Sequence, residues 1–454
     1  MRRISEMPTG LMTDLYHPDS AYISWRTGRN EVVTFDLYTR RAPFDGSYLL
    51  VAGLELALEF VRNFRYTDDD IAYLRQIRDY DERFLEELRH IRFTGELLAM
   101  PEGSVAFPNE PLLRVSAPFR EALLLESGLL HTLSVSTHIA TKASRIVHAA
   151  RGRSVAEFAL RRVQEPFIAA RSASIGGCAS TSFVAAARTF RLRATGTIPH
   201  ALVQLFDTER EAFEAVAESF NRYTFLLDTY DAERALHTAI EVARDTRERL
   251  GHTLAAVRLD SGDLVALSHY CRRVLDEAGL QEVRILASGD LDEYRIHELL
   301  EQNAPIDAFG VGTTFASGVL GAVYKEVWYQ DHTPGGQDKI KLAGEKSTWP
   351  GRKEVYRIGE FEEDIIQLEG EPKPERGIRL LRPVMSGGEL LPGSQPPLSE
   401  IWELAQRNMA RLPDRYKALN NPDRYPVRFT QGLRDLRRKV MERYQNGDGE
   451  QESS

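Results

Sequence analysis

A repeating pattern of hydrophobic and polar positions begins at about residue 155. Short apolar runs rich in β-branched residues each end in a cluster of Gly, Ser, Asp or Arg, and a helical-looking stretch follows. The runs are VAEFAL ending at Leu160, FRLRATG at Gly196, TFLLDTYD at Asp231, AAVRLDSGD at Asp263, VRILASGD at Asp290 and DAFGVGT at Thr313. Successive ends lie roughly 25 to 35 residues apart, the length of a βα unit, so the pattern predicts a parallel βα series.

The predicted strands fit either an open sheet or a closed barrel, and their spacing alone does not decide between the two. Six units whose polar clusters all follow the strand favour a barrel-like arrangement. In both arrangements a ligand binds at the carboxyl ends of the strands.

The segments on either side of this series predict a second, α+β domain. Residues 1–115 combine the strand-like runs VVTFDLY and GELLAM with an amphipathic helix, LLVAGLELALEFVRNF, and a hairpin is expected later around Pro334, Gly335 and Gly336. We therefore predict an α+β domain from 1–115 that is completed by about 326–440, an α/β-barrel domain over 116–325, and a disordered tail over 441–454.

Composition narrows the class of protein. The chain has 454 residues, of which 42% are hydrophobic, and its net charge of −9 argues against a broad nucleic-acid-binding surface. Cys178 and Cys271 are the only cysteines, so a disulfide framework and paired zinc knuckles are excluded. Because neither a signal peptide nor an apolar run of membrane-spanning length is found, we expect a cytoplasmic protein without a membrane partner.

One stretch reverses the acidic balance of the chain. Residues 166–206 contain no Asp or Glu. They hold Arg171, Arg188, Arg191 and Arg193, and Arg161 and Arg162 come shortly before them. Guanidinium groups pair with carboxylate or phosphate, so the stretch predicts an anionic ligand. The alternative is that these arginines extend from surface helices into solvent.

GTIPH, residues 196–200, contains a candidate catalytic histidine. After an apolar strand, Thr197 and His200 would project from a βα loop at the ligand-binding edge. A histidine there can act as an acid, a base or a phosphate acceptor. It can equally be a hydrogen-bonded loop residue, and this motif alone does not separate the two.

Three further clusters follow consecutive strands. In RLDSGD, Arg258 stands beside Asp260 and Asp263, which can orient ribose hydroxyls or bind Mg²⁺, or else form an N-cap and turn. The clusters ASGD and GVGT contribute Gly289, Asp290, Gly310, Gly312 and Thr313. We predict that GVGT offers backbone N–H groups to a phosphate before an apolar helix, FASGVLGAVY. Together the clusters suit a phosphorylated sugar with a diphosphate and a second anionic substrate.

From about residue 10 to about residue 430 the chain resembles the nicotinate phosphoribosyltransferase family. The resemblance rests on these stretches taken in order: TDLY, FDLYTRRAPFDGSYLLVAGLELALEFV, THIATKASRI, EFALRR, SIGG, GTIPHALVQ, LLDTYD, VRLDSGDL, ASGDLDEY, FGVGTTF, VYKEV and KLAGEKSTWPGRKEVYR. It implies an atypical, incomplete α/β barrel packed on a domain that the N-terminal and later segments build. It also implies a homodimer with shared active sites.

The implied reaction transfers phosphoribose from phosphoribosyl pyrophosphate to nicotinate, with coupled hydrolysis of ATP and with Mg²⁺. The resemblance makes His200 a transient phosphate acceptor. Nicotinate would be bound by Tyr16, reaching in from the neighbouring subunit, and by Arg161, Arg162, Thr197 and Arg258. The ribose or its Mg²⁺ would face Asp260 and Asp263. The 5-phosphate region would comprise Gly289, Asp290, Gly310, Gly312 and Thr313.

Some positions depart from the family pattern. His17, Pro18, Asp19 and Ser20 follow TDLY where the family usually has a Gln and then a Met, and Pro199 replaces a common alanine before His200. The alternatives left open are a nicotinamide or quinolinate phosphoribosyltransferase and a binding paralogue without turnover. The absence of an acid after SIGG favours nicotinate, because a carboxylate beside the ring would suit the uncharged amide better.

Overall fold

A computed structural model describes residues 9–333, 335–342 and 347–445. The helices are α1 (Tyr16–Arg26), α2 (Leu54–Arg62), α3 (Asp68–Ile77), α4 (Glu82–His90), α5 (Phe119–Leu124), α6 (Glu126–Ala149), α7 (Pro166–Ile175), α8 (Val184–Phe190), α9 (His200–Val203), α10 (Glu209–Ser219), α11 (Ala232–Leu250), α12 (Leu264–Glu277), α13 (Glu293–Glu301), α14 (Leu398–Arg411), α15 (Asp414–Lys417) and α16 (Gln431–Gln445).

The strands are β1 (Val32–Thr39), β2 (Leu49–Leu50), β3 (Glu96–Ala99), β4 (Val105–Ala106), β5 (Pro111–Pro118), β6 (Ser154–Glu157), β7 (Ser180–Thr181), β8 (Arg222–Leu226), β9 (Thr253–Leu259), β10 (Arg284–Ala287), β11 (Ala308–Val311), β12 (Ala322–Tyr329), β13 (Gln337–Asp338), β14 (Lys353–Ile358), β15 (Glu363–Leu368), β16 (Gly377–Arg379), β17 (Arg382–Ser386), β18 (Glu389–Leu390) and β19 (Val427–Phe429).

The chain divides into two compact units. Unit 1 comprises Met1–Thr141 and Val319–Ser454, and unit 2 comprises Lys142–Gly318. The sequence placed these limits at 115/116 and 325/326 instead. They differ because the end of β5, all of α5 and α6 as far as Thr141 belong to unit 1, and because β12, which pairs with β1, already begins at Ala322. The predicted tail over 441–454 overlaps α16 as far as Gln445, and its later residues lie outside the described part.

Unit 1 is built on a seven-stranded sheet in the order β13-β12-β1-β5-β3-β17-β18. The predicted strands VVTFDLY and GELLAM are β1 and β3, and the predicted amphipathic helix is α2. The predicted hairpin is the antiparallel pair of β12 and β13, in which Trp328 faces Asp338. Pro334 lies outside the described residues. A four-stranded sheet, β16-β14-β15-β19, and a two-stranded sheet, β2-β4, complete the unit.

A buried carboxyl group in unit 1 keeps its proton. Glu110 is fully buried, and burial, followed by the neighbouring Asp364 carboxylate, raises its pKa well above the usual value. Arg357 compensates the charge of Asp364 through a pair of hydrogen bonds, of 2.9 Å from Nε to Oδ1 and 2.5 Å from Nη2 to Oδ2. The unfolded chain releases this proton near the ordinary pKa of 4.5, whereas the folded chain holds it to higher pH.

We expect this proton to make stability fall as pH rises. Relative to Glu110→Gln, the free energy of unfolding of the natural protein should decrease between about pH 5 and about pH 8, because only the natural side chain binds more protons when folded. Urea unfolding at several pH values measures the difference. Glu389→Gln, on the exposed residue that opens β18, is the matched control. Parallel pH profiles for the natural protein and Glu110→Gln would contradict a protonated Glu110.

Unit 2 is a curled parallel sheet that stays open. Its strand order is β7-β6-β11-β10-β9-β8, and every pairing is parallel. Within the described residues β7 and β8 form the two edges, so the predicted incomplete barrel is confirmed. Helices α11, α12 and α13 connect β8 to β9, β9 to β10 and β10 to β11. The carboxyl ends of β8 to β11 therefore lie side by side, as the βα pattern predicted.

Two predicted elements in unit 2 are wrong. FRLRATG is not a strand: Phe190 ends α8, Arg191 takes a left-handed conformation at φ 56°, and only Ala194 forms a bridge, to Thr181 of β7. FASGVLGAVY is not a helix, since residues Thr313–Ala316 form one 3₁₀ turn and an irregular connection leads to β12. Its two glycines disfavour a helix, and Gly318 adopts φ 78°, which ends one.

Candidate active site

Arg258 is the most connected polar side chain at the carboxyl edge of the unit 2 sheet. It lies on β9, with 16% of its side chain exposed. Its guanidinium donates from Nε to Ser288 Oγ at 2.7 Å, from Nη1 to Thr197 Oγ1 at 2.6 Å and from Nη2 to Asp260 Oδ1 at 2.6 Å. A guanidinium has five N–H donors, so two remain, one on each terminal nitrogen. They are free to meet a planar anion.

Asp260 is held in its ionised form beside this guanidinium. Burial alone would raise the pKa of its carboxyl group, but hydrogen bonds from Ser288 and Arg258, together with the positive charge of Arg258, outweigh burial and lower that pKa. Its backbone N–H donates to Asp228 Oδ2 at 3.1 Å. The two strand-end aspartates therefore lie together, and Asp260 carries a negative charge at neutral pH.

His200 lies next to these aspartates. Its Nδ1 is 3.1 Å from the Thr229 hydroxyl, and its Nε2 is 3.8 Å from Asp260 Oδ2. About 40% of the side chain is exposed. Pro199 precedes α9 with φ −86° and ψ 158°, an N-cap backbone that proline adopts readily, so the departure from the usual alanine introduces no distortion here. The contact of Nδ1 leaves Nε2 as the ring nitrogen open to solvent and ligand.

Asp263 has a structural task of its own. It is the N-cap of α12, where its Oδ1 accepts backbone N–H groups from Val265 and Ala266, both at 3.1 Å. Gly262, just before it, adopts φ 81°. The N-cap that the sequence offered as the alternative for this residue is therefore present. A second role toward ribose or Mg²⁺ stays a prediction.

The turns after β10 and β11 are tightly fitted. Gly289 adopts φ 86°, and a Cβ added there would stand 1.9 Å from the Asp260 carbonyl oxygen. Asp290 follows in a left-handed conformation at φ 44°, and Thr313 Oγ1 donates to its Oδ1 at 3.4 Å. These contacts bring together the ASGD and GVGT clusters. They also fix the position of the Asp260 backbone.

Phe158 leaves no room for a side chain at Gly310 or Gly312. A Cβ at Gly310 would lie 2.4 Å from the Phe158 ring, and one at Gly312 would lie 2.8 Å from the Phe158 carbonyl oxygen. Close packing of β11 against the end of β6 therefore explains both glycines. Their predicted part in a phosphate site is not tested by this packing.

The predicted arginines and tyrosine have varied positions. Arg161 and Arg162 are exposed in the turn after β6. Arg171 is 1% exposed within α7, so it does not extend into solvent, whereas Arg188, Arg191 and Arg193 are exposed. Tyr16 opens α1 in unit 1 with 56% of its surface exposed. Partial burial, followed by the charges of Glu126 and Asp14, raises its pKa.

Sequence reasoning missed Asp228, Thr229 and Ser288 as site residues. Asp228 accepts hydrogen bonds from the Asp260 backbone and from the Ser261 hydroxyl, and its Oδ1 is buried with no hydrogen-bond partner among the described residues. LLD and RLD end neighbouring strands in the same way, and this repetition could have identified Asp228. Thr229 and Ser288 carry no such signal, because only tertiary contacts connect them to His200 and Arg258.

Comparison with known proteins agrees with the motif order. The N-terminal domain of nicotinate phosphoribosyltransferase matches residues 11–134, the nicotinate phosphoribosyltransferase family matches 150–325, and the C-terminal domain matches 373–437. A nicotinate phosphoribosyltransferase of Mycobacterium tuberculosis is 39% identical over 430 residues, which cover 92% of this chain and 90% of the relative. The Bacillus subtilis enzyme of that name is 39% identical over 455 residues, 92% of each chain.

The chain belongs to the nicotinate phosphoribosyltransferase family.

The fold of this nicotinate phosphoribosyltransferase family member agrees with a solved structure. The crystal structure of human nicotinic acid phosphoribosyltransferase superposes with a TM-score of 0.84 at 30% identity, covering 95% of this chain and all of that one. The predicted family and fold class are thereby confirmed. None of the helices in the described residues combines the length and the apolar character needed to cross a membrane.

Proposed function

We propose that this protein is an enzyme that transfers phosphoribose from phosphoribosyl pyrophosphate to nicotinate, giving nicotinate mononucleotide and pyrophosphate. The observation that carries the proposal is Arg258, a guanidinium with two unused donors at the strand edge of a nicotinate phosphoribosyltransferase family member. The product makes this a step of NAD salvage. The two buried free cysteines agree with work in a reducing compartment such as the cytoplasm.

The carboxylate of nicotinate is the group that Arg258 would bind. Its remaining N–H donors, one on each terminal nitrogen, form the fork that a carboxylate accepts. Thr197, already bonded to Nη1, borders the same place. Nicotinamide would offer no negative charge to this guanidinium, and no acidic residue between positions 166 and 206 is available to receive an amide N–H. This combination supports nicotinate over nicotinamide.

In the transfer step the pyridine nitrogen attacks the anomeric carbon of the ribose while the bond to pyrophosphate breaks. The ribose gains positive character in such a step, and the carboxylates of Asp260 and Asp228 are suited to stabilise it and to accept its hydroxyl protons as hydrogen bonds. Thr313, with Gly289 and Asp290 at the adjoining turn, is our candidate for the 5-phosphate end. Arg161 and Arg162 remain candidates for the anionic substrates.

Mg²⁺ fits this proposal as an ion held partly by substrate. No group of three or more His, Cys, Asp or Glu in the described residues is arranged to hold a metal. Mg²⁺ in such enzymes needs only one or two carboxylates in addition to substrate phosphates. Asp228, with its unpartnered buried Oδ1, and Asp260 suit it better than Asp263, whose Oδ1 caps a helix. The ion would neutralise the charge of the departing pyrophosphate.

A homodimer with shared active sites completes the proposal. The support is Tyr16, an exposed aromatic residue at the start of α1, whose ring would stack on a ligand bound by another subunit. No nucleic-acid or membrane partner is needed for the reaction.

Pyrophosphate release by the purified protein tests the main proposal. Nicotinate should support turnover, nicotinamide and quinolinate should support little, and ATP should increase product yield. Equal turnover of nicotinamide would exclude the assigned role of Arg258. Ligand binding without any pyrophosphate release would favour a paralogue that has lost catalysis.

His200 is our candidate for the coupling to ATP. Its Nε2 would attack the terminal phosphorus of ATP, forming an N–P bond as the bond to ADP breaks, and water would later cleave that N–P bond. The Nδ1 contact with Thr229 would hold the ring in place during both steps.

We expect His200→Ala to abolish nicotinate-dependent ATP hydrolysis while some transfer of phosphoribose persists. Parallel measurement of ADP and nicotinate mononucleotide separates the two activities. His237→Ala removes an exposed histidine from α11 of the same unit and should change neither. Unaltered ATP consumption in His200→Ala would show that another group accepts the phosphate.

A further inference from the structure

Unit 1 contains a cavity of about 290 Å³ whose lining is rich in arginine. The cavity lies between the turn that follows β14, the segment from β16 to β17, and α14. The arginines that line it are Arg357, Arg379, Arg382, Arg407 and Arg411, and Glu360 is the only acidic residue in the lining. All the lining residues belong to unit 1, and none of them is a strand-end residue of unit 2.

Three of these arginines have carboxylate partners. Arg357 pairs with Asp364, Arg379 with Glu354 at 2.8 Å, and Arg411 with Glu360 at the longer distance of 3.6 Å. Even so, the Nε of Arg379 is buried and lacks a hydrogen-bond acceptor within the described residues. Apart from this one N–H, the carboxylates balance the charge of these three arginines.

The other two arginines have no carboxylate partner within the described residues. Arg382 begins β17 and Arg407 lies on α14, one turn before Arg411. They leave an excess of two positive charges at the cavity. That excess matches a dianion, and guanidinium groups bind the oxygens of phosphate with matched geometry.

The remainder of the lining is mostly apolar, and Ser104 and Asn408 are its uncharged polar residues. Leu380, Leu404 and Ile378 contribute aliphatic surface, and Phe361, 4% exposed, supplies an aromatic side chain. Arg357 stacks over the Phe361 ring at 4.3 Å from its centroid. An apolar wall combined with a few convergent charged groups is the usual composition of a small-molecule site. Inorganic phosphate alone would leave this wall without a partner.

We infer that this cavity binds a small phosphate monoester whose phosphate contacts Arg382 and Arg407 and whose apolar body contacts the leucines. The cavity shares no residue with the proposed transferase site.

Calorimetric titration of the full chain with phenyl phosphate tests the inference, because this probe is a dianion with an apolar ring. We expect binding that weakens at least 10-fold in the double variant Arg382→Gln/Arg407→Gln. The matched control is Arg62→Gln/Arg424→Gln, which removes two exposed arginines of unit 1 that do not line the cavity. Unchanged affinity in the first double variant, or equal loss in both, would overturn the site.

Two further binding measurements distinguish this cavity from other phosphate sites. Thr313→Val should leave phenyl phosphate binding intact. Loss of binding in this variant would indicate that the probe binds at the strand edge of unit 2 instead. Inorganic phosphate should bind at least 10-fold more weakly than phenyl phosphate, and equal affinity would refute the apolar part of the site. Because Arg407 is exposed, Arg407→Gln alone serves as a second variant if the double variant does not fold.

Discussion

Arg258→Gln is expected to lower kcat/KM for nicotinate by about 10²- to 10³-fold, because removing one partner of a hydrogen-bonded charge pair in a binding site costs roughly 3 to 4 kcal/mol. The substitution removes the proposed carboxylate fork. It also leaves the ionised Asp260 without its guanidinium donor. Steady-state kinetics with nicotinate as the varied substrate measure the loss. Arg284→Gln, on the exposed start of the neighbouring β10, is the matched control and should retain activity.

Arg258→Lys separates charge from geometry. Lysine keeps the positive charge but lacks the planar set of donors that reaches Thr197, Ser288 and Asp260 together. Its kcat/KM should therefore lie between those of the natural protein and Arg258→Gln. A natural KM for nicotinate in Arg258→Gln would contradict the proposed contact with the carboxylate.

Gly289→Ala should reduce turnover by at least about 100-fold, since its Cβ would fall 1.9 Å from the Asp260 carbonyl oxygen and one of the two turns must move. Gly279→Ala provides the control, because Gly279 has a similar φ of 78° but nothing within 4 Å of an added Cβ. Both variants bear the left-handed penalty of roughly 1 kcal/mol. Only Gly289→Ala adds displacement of Asp260.

Turnover and urea unfolding should both be measured for Gly289→Ala and Gly279→Ala. We expect Gly279→Ala to lose a little stability and almost no activity. If both variants lost the same stability and the same activity, the close approach of the two turns would have no bearing on catalysis.

The sheet of unit 2 could be predicted because its strands are apolar runs with polar ends. FRLRATG has a similar apolar run but is not a strand, because Arg191 takes a left-handed conformation that ends α8. The pattern of hydrophobic residues does not encode that conformation. FASGVLGAVY failed because an apolar composition suits a helix, a strand or a connection alike. Its valines and glycines were better evidence than its hydrophobicity.

The residues of the candidate site likewise include some that the sequence could identify and some that it could not. Arg258, Asp260 and His200 stand in motifs, so their types and order are visible in the chain. Ser288 and Thr229 are ordinary hydroxyl residues whose importance arises from side chains that approach them across the sheet edge. Such contacts depend on register and loop geometry, which sequence patterns do not specify.

The division of unit 1 between the two ends of the chain has a consequence for folding during synthesis. β1 pairs with β12, so that Val33 meets Tyr329, and β3 pairs with β17. The ribosome therefore completes the whole of unit 2 before β1 finds its second neighbour. Until then the apolar face of β1 has no finished sheet, whereas unit 2 is one contiguous segment and can fold first. Nascent chains arrested before β12 would for that reason depend most on chaperones.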